Sequence, residues 1–151
     1  MAPGRNSWTL GVFLLALTAC TGSTGPDAPD LLASVDYAPR VAAEGTQPPP
    51  AYEGTATVSA EAGTLRITTT IYGDLCRQRP TASITQADGQ VTFTLRLDAL
   101  GEDVNCLQWI AETDVAAHTI ALAPGQYTAQ VRVTYADGSV QVLSAGSVTL
   151  E

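Results

Sequence analysis

Two runs of strict alternation govern what this chain can fold into. Val91, Phe93, Leu95 and Leu97 alternate with Thr92, Thr94 and Arg96, and Tyr127, Ala129, Val131, Val133 and Tyr135 alternate with Thr128, Gln130, Arg132 and Thr134. Successive side chains of a strand point to opposite faces, so each run describes a strand with one face buried and one in water. Asp88-Gly89 stands between the runs at 80–87 and 90–98, and Asp137-Gly138 stands between those at 126–136 and 139–150. Asp-Gly between alternating runs signals a hairpin, because a type I′ turn needs positive φ at both central residues.

Leu65, Ile67 and Ile71, with Arg66 and Thr68 facing out, extend the pattern. Further strands are expected near 55–60, 64–72, 104–111 and 115–122, which gives seven or eight in residues 54–151. Threonine and valine are plentiful there, as strands favour, and no segment carries a helical stripe. That strand density predicts an all-β fold, an antiparallel β-sandwich.

Residues 20–53 read differently. Six of the nine prolines, Pro26, Pro29, Pro39, Pro48, Pro49 and Pro50, fall here among Thr, Gly, Ser, Ala and acids. Few apolar residues are present to repay the entropy of ordering, so the segment is expected to act as a tether. Residues 31–37 (Leu-Leu-Ala-Ser-Val-Asp-Tyr) are the exception, able to dock or to add a short strand.

Residues 1–19 have the build of an export signal. Arg5 supplies one positive charge, and a mostly apolar run from Trp8 to Leu17 follows, with small residues behind it. A spanning helix needs roughly 20 apolar residues, more than this run holds. Leu17-Thr18-Ala19-Cys20 resembles the lipobox of bacterial lipoproteins. The resemblance implies cleavage between Ala19 and Cys20 and a diacylglycerol thioether on the Cys20 sulfur. Two or three acyl chains anchor a protein stably where one does not. Thr21 follows the cysteine where Asp commonly retains Gram-negative lipoproteins in the inner membrane, which favours the outer membrane in a host that has one. The implied partner is a membrane, reached through N-terminal acyl chains, and the implied location is the cell envelope.

With Cys20 set aside, Cys76 and Cys106 remain as an even pair in an exported chain. A disulfide between them closes a loop of about 30 residues, for which the chain-entropy model gives roughly 3.5 kcal/mol. Two free thiols are the alternative. A zinc site is disfavoured, because two thiols and a distant His118 do not make four ligands.

Leu122-Ala123-Pro124-Gly125-Gln126-Tyr127 resembles the entry to the penultimate strand of immunoglobulin-like and fibronectin type III-like domains. There the resemblance implies a tyrosine corner at Tyr127, whose hydroxyl bonds back to backbone just upstream. Antibody-type domains carry a cysteine two residues later, where this chain has Ala129.

The charge balance excludes whole classes of function. All seven basic residues are arginine, against fifteen acids, for a net charge of −8. Nucleic-acid binding needs a basic footprint, and attraction to anionic headgroups needs clustered cations. There is no Gly-x-Ser-x-Gly elbow, no His-Glu-x-x-His and no Gly-x-x-x-x-Gly-Lys. The single histidine, His118, reads as a structural or surface residue of a strand. Asp98, Glu102, Asp103 and Asn105 read as a solvated acidic turn, since they lack calcium-loop spacing. No enzyme and no cofactor is therefore expected.

The unusual feature is Asp74-Leu75-Cys76-Arg77-Gln78-Arg79-Pro80, where Arg77 and Arg79 crowd beside a cysteine. Guanidinium groups fork carboxylates well, which makes these two the candidate partner-binding residues. The alternative is a local one, in which they face Glu102 and Asp103 beside Cys106. The expected function is a non-enzymatic, lipid-anchored envelope protein that presents a small β-sandwich to another protein or ligand. An inhibitor of an envelope protease or lysozyme is the competing expectation.

Overall fold

A computed structural model describes residues 28–41, 54–72, 78–100 and 111–151. Eight strands form two four-stranded sheets: β1 (Leu32–Val41), β2 (Ala56–Glu61), β3 (Thr64–Tyr72), β4 (Gln78–Ala87), β5 (Gln90–Ala99), β6 (Ala111–Thr119), β7 (Gly125–Thr134) and β8 (Val140–Leu150). The first sheet has the order β1-β6-β3-β2 and the second β4-β5-β7-β8. The molecule is thus an all-β sandwich, as the alternation predicts.

The period-two pattern becomes the core directly. Leu65, Ile67, Ile71, Val115 and Ala117 of the first sheet share one buried cluster with Ile84, Val91, Phe93, Leu95, Leu97, Val131 and Val133 of the second. Their polar neighbours in sequence face out. A buried hydroxyl helps set the register at one end: the Leu65 amide donates to Thr119 Oγ1 at 2.9 Å.

Five of the six strand pairings are antiparallel, and β5 with β7 is parallel. Parallel neighbours cannot be joined by a tight turn. Here the chain leaves β5, runs through β6 in the other sheet, and returns as β7. The first sheet therefore supplies the crossover that the second requires.

The turns follow their residues. Asp88 and Gly89 take φ of 50° and 76° between paired Ala87 and Gln90, the expected two-residue turn. Between β7 and β8 only Gly138 has positive φ, at 83°. There the Gly138 amide donates to the Tyr135 carbonyl, and Asp137 Oδ1 accepts from the Ser139 amide and hydroxyl at 2.8 and 2.6 Å. This connection is a longer loop closed by the Asp137 carboxylate, and not a two-residue type I′ turn. Ala62-Gly63 makes the remaining tight turn, with φ of 47° and 81°.

Residues 31–37, singled out within the tether segment, lie at the start of a ten-residue strand, β1. β1 pairs with β6 along its length, with Val35 opposite Ala117 and Tyr37 opposite Val115. The Leu31 amide donates to the Ile84 carbonyl at 2.7 Å, and the Leu31 carbonyl accepts from the Ile120 amide at 2.8 Å. Asp30 Oδ1 accepts from the Ile84 amide at 2.8 Å and from the Leu32 amide at 3.0 Å. The folded unit so takes in chain ahead of residue 54. The expected break between residues 111 and 115 is absent, since β6 runs without interruption. The rest of the strand expected at 104–111 lies outside the described residues.

Two substitutions test this account. Ala62 holds a left-handed conformation in which its Cβ is crowded, so Ala62→Gly should raise unfolding free energy by about 1 kcal/mol. Thr113 is fully buried, and its hydroxyl has no hydrogen-bond partner. Thr113→Val should stabilise by about 1 kcal/mol, because an unpaired buried hydroxyl carries a desolvation cost. Urea midpoints at unchanged m-value measure both.

Candidate functional site

Each sheet turns one polar face to solvent, and the two faces differ. Outward positions of the first sheet come from alternate residues of its four strands: Asp36, Ala38 and Arg40 of β1, Glu112, Asp114, Ala116 and His118 of β6, Arg66, Thr68 and Thr70 of β3, and Thr57 of β2. The small side chains of Ala38 and Ala116 leave a shallow groove of about 460 Å³ between flanking Asp36, Thr68, Thr70 and Asp114.

Internal pairing occupies most of this groove's polar atoms. Thr70 donates its hydroxyl to Asp114 Oδ1 at 2.9 Å, and Arg40 pairs with Asp114 Oδ2. The Thr70 hydrogen bond, followed by Arg40, holds the Asp114 carboxyl below its usual pKa. The hydroxyls of Thr57 and Thr68 bond each other at 2.7 Å. Glu61 lies 3.6 Å from Arg66 and 3.9 Å from His118 Nδ1. His118 so sits on a solvent-facing strand position beside an acid and a guanidinium.

The outer face of the second sheet carries Arg79, Thr81, Ser83 and Thr85 of β4, Thr92, Thr94, Arg96 and Asp98 of β5, Thr128, Gln130, Arg132 and Thr134 of β7, and Val142 of β8. Arg79 stands opposite Asp98, and Arg96 Nε donates to Asp98 Oδ1 at 2.7 Å. Arg132 stands opposite Thr94 on one side and Val142 on the other, and Arg96 opposite Thr134. Arg96 and Arg132 are therefore diagonal neighbours on adjacent strands, with Arg79 one strand further on. Among the described residues, three arginines share this face with one acid, in a chain of net charge −8. Arg79 and Arg132 make no ion pair among the described residues.

Of the residues that the sequence singled out, Arg79 lies exposed on this face. Its neighbour Arg77, with Cys76, Cys106, Ala19 and Cys20, lies outside the described residues, as do Glu102, Asp103 and Asn105. The Tyr127 hydroxyl donates to the Ala123 carbonyl at 2.7 Å and ties the β6–β7 connection to the start of β7. Arg96 and Arg132 were legible as outward-facing strand residues, but only the β5–β7 pairing makes them neighbours. No group of three His, Cys, Asp or Glu side chains suited to a metal occurs among the described residues. The chain matches no protein-family model, no curated protein and no solved structure.

Asp114 gives a pH test. Its folded-state pKa is depressed, so the associated stability is present above the unfolded carboxylate pKa and is lost as pH falls through the folded one. Asp114→Asn should show a shallower loss of stability than the parent between about pH 5 and pH 2. Urea unfolding at stepped pH reads the two slopes, and parallel slopes would contradict the assignment.

Proposed function

We propose that this chain is a non-enzymatic, lipid-anchored protein of the bacterial cell envelope, and that its sandwich presents the outer face of the second sheet to an acidic partner. The observation that carries the reading is the gathering of Arg79, Arg96 and Arg132 on one face of an acidic chain. Guanidinium groups bind carboxylates in a forked geometry and hold their charge at any physiological pH. Like charges on adjacent strands repel one another, and a bound carboxylate or phosphate relieves that repulsion.

The anchor part of the reading rests on Leu17-Thr18-Ala19-Cys20 behind a basic residue and an apolar run. The face is rigid, since it is built from β4, β5 and β7 over the shared core. Rigid presentation lowers the entropy cost of association.

Crosslinking in intact cells, followed by capture of the lipidated chain, tests the proposal. The parent should retain a specific acidic partner. The triple variant Arg79→Ala, Arg96→Ala, Arg132→Ala should lose about tenfold or more in affinity, at one charge-assisted contact or more. Capture should also weaken with added salt. Undiminished capture by the folded triple variant would remove this face from the function.

A further inference from the structure

Strand directions sort the connections of the sandwich onto two ends. The start of β1, the Ala62-Gly63 turn, the Asp88-Gly89 turn, residues 120–124 and the C-terminal Leu150-Glu151 lie at one end. The ends of β1, β3, β5 and β7 and the starts of β2, β4, β6 and β8 lie at the other.

The first end carries an uncharged tip. Ile120, Ala121, Leu122, Ala123 and Pro124 follow one another without a polar side chain. Ile120 is 46% exposed, a large apolar side chain left in water, and Ala121, Ala123 and Pro124 are exposed beside it. The tip is braced: the Leu122 amide donates to the Gly63 carbonyl at 3.0 Å, and the Ile120 amide to the Leu31 carbonyl at 2.8 Å. Its shape is therefore fixed by the fold.

The described chain begins at this same end, because Leu31 is bonded to Ile120. Nine residues, 21–29, separate Cys20 from Asp30. A stretch of that length reaches about 30 Å fully extended, and about 15–18 Å root-mean-square as a flexible coil. A ten-residue strand is itself about 33 Å long. An anchor at Cys20 thus keeps the β1 entry close to the bilayer and leaves the far end out of reach.

We propose that the Ile120–Pro124 tip is the membrane-contacting surface of the domain, resting on the lipid surface that holds the Cys20 acyl chains. The inference rests on the anchor reading made above. It turns the outer faces of both sheets sideways to the bilayer and the opposite end outward. Asp30, Glu61, Asp88 and Glu151 are exposed at the same end. Their charge makes a zwitterionic surface a better support than an anionic one.

The test uses the full chain extracted from membranes and reconstituted in phosphatidylcholine vesicles containing brominated lipid. Tryptophan is placed at the tip in Ile120→Trp, and at a somewhat more exposed site near the other end in Val142→Trp, both with Trp109→Phe. Ala123→Trp serves as a second tip probe. Emission of the two tip probes should fall by about half, as for a ring lying about 5–10 Å into the headgroup boundary. Val142→Trp should be unquenched, and phosphatidylglycerol should reduce quenching at the tip. Intact mass separates the two readings. A lipidated mass with unquenched tip probes, or with Val142→Trp quenched as strongly, overturns the tip and spares the anchor. A lipid-free mass overturns both.

Discussion

The Asp30 carboxylate and the Leu31 backbone join the two sheets, and much of the molecule depends on them. Leu31 gives its amide to β4 in one sheet and its carbonyl to Ile120, which follows β6 in the other. The Asp30 carboxylate accepts from the Ile84 amide, a donor on the edge strand β4 that the β5 ladder leaves unused. One short segment therefore satisfies backbone groups of both sheets and starts β1 in register. β1 is an edge strand with β6 as its one neighbour in the sheet, and this segment clasps its first end to β4 across the open side of the sandwich.

The remaining edges are managed by composition. Pro39 in β1 and Pro80 in β4 both fall on edge strands, where the missing amide removes a donor that a foreign strand could use. β8 carries a bulge, with Ala129 opposite Gly146 and Gln130 opposite Ser144, and Gly146 supplies the φ of 99° that the bulge requires. β2 is only six residues long. Two edges use proline, one a bulge and one short length, and each interrupts the flat row of donors and acceptors that invites aggregation.

The sequence revealed what depends on neighbours along the chain. Val91 to Leu97 and Tyr127 to Val133 read as half-buried strands because their alternation is complete, and Asp88-Gly89 reads as a turn because its residues tolerate positive φ. β1 was obscured for a physical reason. Asp36, Pro39 and Arg40 are poor strand residues, and Leu32, Val35 and Tyr37, whose spacing is broken by the bulge between Leu32 and Ser34, mark the inward side. What makes the segment a strand is the β6 edge and the Asp30-Leu31 clasp, contacts to residues some fifty to ninety positions away. The parallel β5–β7 pair is equally nonlocal, and with it the meeting of Arg96 and Arg132. Arg79 was singled out for its sequence neighbours, whereas the arginines that share its face belong to other strands.

The pairing of β1 with β6 also imposes an order of events on a chain made from its N-terminus. Leu32 and Val41 emerge early, yet their partners are Thr119 and Ala111, near the end of the chain. The first strand waits for most of the polypeptide before it has anything to pair with. β4 and β5 can close as a local hairpin, but β7 joins them only after β6 has been made. Such separations place this molecule among slow folders, where loop closure precedes its reward. The clasp that completes the sandwich is thus a late event, and the nascent chain stays extensible until nearly all of it has appeared.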